Sequence, residues 1–261
     1  MRMRVKTKSM TRGRKGIYVL PNLLTSASLF GGFYAIIAAI QHHHEAAAVA
    51  VLISCVLDAL DGKVARYTRT ASHFGTEYDS LSDLVAFGIA PGVLAFQWAL
   101  EPFGRLGWMA SFIYVICGAL RLARFNVERN VEMKYFKGLP IPVAASFVAS
   151  SILFSVEVQG GFETKPALII TVMYVLSFLM VSTLDYFSFK ELNLKKRKPF
   201  NLLVSIVLVL VVIAYKPRIM IFFISALYIL SGLVLTAVRH QRRRSLANQS
   251  HKVSMQQGGS D

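Results

Sequence analysis

Four aspartates stand in the segment DALDGKVARYTRTASHFGTEYDSLSD at 58–83: Asp58, Asp61, Asp79 and Asp83. Asp58 and Asp61 are spaced i, i+3; Asp79 and Asp83 are spaced i, i+4. On a helix both spacings set side chains on one face, with Cβ atoms about 5–6 Å apart. Carboxylates so grouped offer hard oxygen donors, the ligands Mg²⁺ and Mn²⁺ prefer. A pair of such ions about 3.5–4 Å apart suits carboxylates from two facing helices and the displacement of one oxygen by another at phosphorus. Small residues share these faces: Gly62 and Ala65 follow Asp58 at i+4 and i+7, and Gly75 precedes Asp79 by four. They leave room for a ligand, and Arg66 has the planar fork that suits a phosphate. Helix packing through small residues, with aspartates capping helix ends, explains Gly62 or Ala65 alone but not the whole set.

The elements that must hold these residues are membrane helices. Hydrophobic residues make up 54% of the 261 and charged residues 16%, against roughly 25% charged in ordinary globular chains. Apolar stretches near the length of about 20 residues that crosses a bilayer run near 21–41, 45–62, 81–100, 107–126, 140–158, 166–187, 200–215 and 219–238. The fold class expected is all-α and polytopic. The short connection between the second and third spans makes them antiparallel neighbours, with their aspartate-bearing ends together. An isolated Asp at the centre of a spanning helix costs roughly 2.5–3.5 kcal/mol. Four near one membrane face call for an offsetting positive charge. Lys63, Arg66 and Arg69 are nearby, but long mobile stems do not organise four carboxylates as metal ions do.

The net charge of +15 is distributed as a topology signal. With the N-terminus cytoplasmic and one crossing per span, 25 of the 29 Lys and Arg fall on the cytoplasmic side. Only Arg105, Lys165, Lys216 and Arg218 fall outside. This is the positive-inside pattern, with attraction to an anionic lipid membrane added. It places both termini and the aspartates in or at the cytoplasm. No basic stripe sits on a soluble domain, so no nucleic-acid partner is expected.

The pattern D-x2-D-G-x2-A-R-x8-G-x3-D-x3-D, met here at Asp58, Asp61, Gly62, Ala65, Arg66, Gly75, Asp79 and Asp83, resembles the signature of the CDP-alcohol phosphotransferases. That resemblance implies a six-helix core, a homodimer and an active site open to the cytoplasm. It implies that Asp58, Asp61 and Asp79 ligate two divalent cations, Mg²⁺ or Mn²⁺. Asp83 is then both a ligand and the candidate base for the acceptor hydroxyl. Gly62, Ala65, Arg66 and Gly75 shape the nucleotide and diphosphate pocket. Within the family the segments PNLLTSASLFGGFYAI at 21–36, RLARFN at 121–126 and GLPIP at 138–142 most resemble integral-membrane phosphatidylserine synthases. The donor implied is CDP-diacylglycerol, the acceptor L-serine, and the membrane the inner one. The expected organisation is a basic segment at 1–16, a six-helix core at 17–190, two added spans at 191–238 and a basic, polar tail at 239–261.

Arg121, Arg124, Asn126 and Lys137 gather just inside the membrane. Arg121 and Arg124 share a helix face, and they suit either a substrate carboxylate or phosphate, or snorkelling to headgroups. Arg121, Arg124 and Asn126 are taken as candidate substrate contacts, Lys137 as a headgroup contact. His42, His43 and His44 lie on the opposite side from the aspartates and are read as a polar turn. Gly31 and Gly32 are read as close helix packing, Cys55 and Cys117 as buried free thiols, and Asp185 and Glu191 carry no assigned chemistry. Two other readings stay open. One is a related enzyme using glycerol 3-phosphate or inositol phosphate; the other is a divalent-cation transporter, since intramembrane carboxylates also mark ion paths.

Overall fold

The computed structural model describes residues 19–68, 72–128, 136–158, 166–186 and 216–236. The basic segment 1–16, the expected span 200–215, Glu191 and the tail 239–261 lie outside the described residues. Helix α1 spans Val19–Ile40, α2 His44–Thr68, α3 the continuous rod His73–Phe103, and α4 Arg105–Glu128. Then come α5 at Ile141–Glu157, α6 at Pro166–Val181 and α7 at Pro217–Thr236. The one departure from an all-helical chain among the described residues is a two-residue antiparallel pair, β1 Phe136–Lys137 with β2 Asp185–Tyr186. α1, α3, α4 and α7 are long and apolar enough to cross a membrane, and α5 and α6 are shorter apolar helices. Six of the eight expected spans thus correspond to apolar helices; α2, over the expected span 45–62, is helical but is not among the helices apolar enough to cross.

Long helices explain where the aspartates sit. The 31 residues of α3 reach about 46 Å at roughly 1.5 Å per residue, against a hydrocarbon core of about 30 Å. Its polar first turns, which carry Asp79, can therefore stand clear of hydrocarbon while the rest crosses it.

α1 is the central strut, packed against both α2 and α3. Small residues permit the close approach, as expected for helices that lipid cannot drive together hydrophobically. A Cβ on Gly31 would collide with the Ser54 hydroxyl, and one on Gly32 would lie 2.5 Å from the Ala86 Cα. Ser28 and Ser54 lock the α1–α2 contact, each hydroxyl donating to the other's carbonyl at 3.1 and 3.0 Å. Ala35, Ala38 and Ala39 meet a core that includes Ala47, Val51, Ala86, Ala90, Ala144 and Ala145. Phe30, Phe33, Phe112, Trp108, Phe178 and Leu227 are exposed, which suits side chains facing lipid.

Two local devices shape the bundle around the site. α3 widens into a π turn over Leu84–Ile89, immediately after Asp83, a distortion that often accompanies functional positions. Pro91 has no N–H to give the Phe87 carbonyl one turn back; the Tyr114 hydroxyl of α4 donates to it at 3.1 Å instead. The second device is GLPIP. Gly138 holds φ +80, and a Cβ there would strike the Met180 carbonyl. Its N–H donates to Leu184 O at 2.9 Å, and the Leu139 N–H donates to Leu179 O at 3.0 Å. This ties the entry to α5 onto the end of α6.

Tyr114→Phe is expected to lower stability by roughly 1–3 kcal/mol, the cost of leaving a buried carbonyl short of a donor. A lowered midpoint of thermal unfolding in detergent checks it; an unchanged midpoint contradicts the role given to Tyr114.

Candidate active site

The four aspartates meet. One carboxylate oxygen from each of Asp58, Asp61 and Asp79 can be chosen so that all three lie within 4.8 Å of one another. Asp83 joins them, its carboxyl close enough to those of Asp58, Asp61 and Asp79 to be acted on electrostatically by all three. Two carboxylates come from the C-terminal half of α2 and two from the start of α3, as the antiparallel arrangement predicts.

α1 sets the positions of both pairs. The Thr25 hydroxyl donates to Asp61 Oδ2 at 2.8 Å, and Asp61 is only 4% exposed. The Thr25 carbonyl accepts from the Ser82 hydroxyl at 3.1 Å, which ties the turn of α3 between Asp79 and Asp83 to the same α1 residue. One turn of α1 thus holds one carboxylate of α2 directly and the aspartate-bearing turn of α3 indirectly. Ser26 and Tyr78 share a hydrogen bond at 2.9 Å, a third link beside Asp79. Ser72 caps α3 by accepting from the Gly75 N–H at 3.0 Å. A Cβ on Gly75 would meet this Ser72 hydroxyl at 3.1 Å and Asn22 Oδ1 at 3.4 Å.

Sequence reasoning missed this hydroxyl set. PNLLTSAS carries the subgroup resemblance but no spacing that assigns chemistry to Asn22, Thr25 or Ser26. The available signal was three hydroxyl-bearing residues, Thr25, Ser26 and Ser28, within one turn of an apolar span.

The remaining predicted residues fall into distinct places. A Cβ built on Gly62 meets nothing within 4 Å, so open space adjoins the Asp61 turn. Ala65 is half-buried, one turn beyond Asp61 on the same helix. Arg66 is exposed, and its Nε donates to Gly62 O at 2.8 Å, so its guanidinium lies back along α2. Asn126 of α4 donates to the Ser80 hydroxyl at 3.0 Å, next to Asp79.

The two arginines diverge. Arg124 donates to Val181 O at 3.3 Å, across to the last residue of α6. Arg121 turns inward. Its guanidinium lies within electrostatic reach of Asp83 and of Tyr228 on α7, and its Nε is buried with no hydrogen-bond partner among the described residues. Lys137 is exposed. His42–His44 close the turn at the other end of α2, with His42 at φ 60, apart from the carboxylates. Cys55 and Cys117 are free thiols, each half-buried.

The residues present fit a divalent cation. Oxygens on opposite sides of a Mg²⁺ ion lie roughly 4 Å apart, twice a bond of about 2.1 Å, so a set already within 4.8 Å needs only small side-chain shifts. The donor set is all oxygen. Open space at Gly62 leaves a side of the cluster for substrate oxygens.

An all-carboxylate centre at one end of a helical bundle agrees with the comparison to known proteins. Residues 18–181 match the CDP-alcohol phosphatidyltransferase family. The chain belongs to this family. The matched segment spans α1–α6 and ends before α7. Among curated relatives, a CDP-diacylglycerol–serine O-phosphatidyltransferase of Helicobacter pylori is 37% identical over 84% of this chain and 91% of its own. A CDP-diacylglycerol–serine O-phosphatidyltransferase of Bacillus subtilis is 34% identical over 66% of this chain and 92% of its own. An archaetidylserine synthase of Methanothermobacter thermautotrophicus is 38% identical over 64% of this chain and 69% of its own.

Thr25→Val removes the hydrogen bond to Asp61 while keeping the side-chain shape. It is expected to weaken Mn²⁺ binding by about 10–100-fold, as loss of a residue that orients a ligand does. Titration followed by Mn²⁺ electron paramagnetic resonance measures this; unchanged affinity contradicts the orienting role.

Proposed function

We propose that the chain transfers the phosphatidyl group of CDP-diacylglycerol to the hydroxyl of L-serine, forming phosphatidylserine and CMP. The observation that carries the reading is the convergence of Asp58, Asp61, Asp79 and Asp83 at one end of two neighbouring helices. The likeness to relatives named for a serine acceptor supports the choice of alcohol.

Asp58, Asp61 and Asp79 would hold divalent metal, Mg²⁺ or Mn²⁺ as a pair by the family resemblance, with Asp83 as a further ligand. A bound divalent cation supplies Lewis-acid stabilisation of the diphosphate and of the departing phosphate. The open side at Gly62, with Ala65 and Gly75 nearby, admits the diphosphate and cytidine. Arg66 swings from its rest on the Gly62 carbonyl to meet a phosphate oxygen. The serine hydroxyl oxygen bonds to the phosphorus that carries diacylglycerol, the bond from that phosphorus to the oxygen of CMP breaks, and CMP leaves with the bonding pair. Asp83 takes the hydroxyl proton. Arg121, beside Asp83, receives the serine carboxylate; Arg124 and Asn126 flank it, and their contacts to Val181 and Ser80 support a role in holding α4 in place.

The charge distribution supports an inner-membrane enzyme with both termini and the active site cytoplasmic, so the acceptor arrives from the cytosol and the lipid from the facing leaflet. Family resemblance supports a homodimer.

Purified protein given CDP-diacylglycerol and Mn²⁺ is expected to release CMP with L-serine and not with glycerol 3-phosphate or inositol phosphate. Release with another acceptor changes the alcohol; divalent-cation flux into liposomes without any CMP release replaces the enzyme with a transporter. Asp83→Asn is expected to lower kcat by about 10²-fold or more, and wild-type turnover in that variant removes Asp83 from the base role.

A further inference from the structure

α7 lies beyond the family-matched segment, yet it is fastened to the core along its length. At the end away from the aspartates, Arg218 pairs with Glu45 of α2 at 2.7 Å and with Glu157 of α5 at 3.6 Å. Further along, Phe222 stacks on Phe147 and Phe154 of α5, with centroids 5.3 and 4.7 Å apart. Towards the aspartate end, the Tyr228 ring stacks on Tyr186 of β2 at 5.8 Å. One turn later, Gly232 presses so close to the Tyr186 ring that any Cβ would overlap it. The glycine lets α7 approach, and the approach delivers Tyr228 to the inner end of α4.

Arg121 lies within electrostatic reach of both Asp83 and Tyr228. Its Nε is buried and unpartnered among the described residues, and so is the hydroxyl of the fully buried Tyr186. Buried donors without acceptors are rare in finished structures. One of them stacks on Tyr228 and the other lies within its electrostatic reach, and such a pair suits a small anion bearing acceptor oxygens.

We propose that Tyr228 is a positioning residue for the acceptor subsite. Its phenol holds the Arg121 guanidinium beside Asp83, so that the acceptor's carboxylate docks on Arg121 with its hydroxyl at the reacting phosphorus. α7 is thereby a specificity element of the enzyme and not merely a further anchor. This rests on the serine-transfer reading above and on Arg121 as the site of the carboxylate.

The test compares L-serine with L-serinamide, which keeps the hydroxyl and amine but has no carboxylate. Purified full-length protein, Tyr228→Phe and Arg121→Gln are assayed for CMP release with each acceptor and for the KM of CDP-diacylglycerol. Tyr228→Phe is expected to raise the KM for L-serine about tenfold, the worth of one hydrogen bond to a charged group. The preference for serine over serinamide shrinks by the same factor, with kcat and the KM for CDP-diacylglycerol within about twofold of wild type. An unchanged serine KM in Tyr228→Phe overturns the proposal. So does a parallel loss in both KM values and kcat, which is the mark of a structural role. Arg121→Gln separates the two levels. If it abolishes the serine preference while Tyr228→Phe leaves it intact, only the role of Tyr228 falls. If Arg121→Gln leaves the preference intact, the carboxylate site itself is misplaced and the proposal falls with it. Absence of CMP release by the wild type with any acceptor sinks the underlying reading instead.

Discussion

Like charges gathered in a poorly solvated place repel one another, and they stay only if something holds them. Four carboxylates converge here at one end of a helical bundle, with Asp61 nearly enclosed. Burial of isolated ionised carboxylates is so unfavourable that native structures pair them or give them to metals. Among the described residues, Arg121 and Asp83 lie within electrostatic reach of each other. The arrangement is therefore built for cations and for the anionic diphosphate that cations bring with them.

Much of the bundle serves that constraint. α1 contributes no acid, yet its Thr25 hydroxyl holds Asp61 and its Thr25 carbonyl anchors Ser82. The close approach needed for those bonds depends on Gly31 and Gly32 against Ser54 and Ala86. On the far side of α3, Tyr114 satisfies the carbonyl that Pro91 cannot serve, and Asn126 reaches Ser80. Each of these contacts fixes backbone within a turn or two of an aspartate or of the π turn that follows Asp83. A carboxylate held this way keeps its direction before metal arrives, which lowers the ordering needed on binding.

The parts legible in the sequence were those with a long-range period or a fixed spacing. Hydropathy located most of the spans because lipid demands continuous apolar helix. The aspartates were legible because i, i+3 and i, i+4 spacings make one helix face. The hydroxyl network was not. A Ser or Thr in an apolar helix most often bonds its own i−4 carbonyl, as Thr171 and Ser177 do here, and nothing local marks Thr25 as different. Its second acceptor, Asp61, is 36 residues away. The split between Arg121 and Arg124 was equally hidden. Shared helix spacing says they start from one face, but the long side chains part to different neighbours, Val181 for one and Asp83 with Tyr228 for the other. The docking of α7 through Gly232 depends on Tyr186, more than forty residues earlier, and no periodicity reports such a contact.

The claim beneath all of this is that α2 and α3 act as one ligand set. The most direct measurement is Mn²⁺ binding to the purified protein by electron paramagnetic resonance, with Asp58→Asn from one helix and Asp79→Asn from the other. A single set spanning both helices predicts that either substitution removes tight binding on its own. Full-affinity binding that survives the loss of either helix's carboxylate contradicts it.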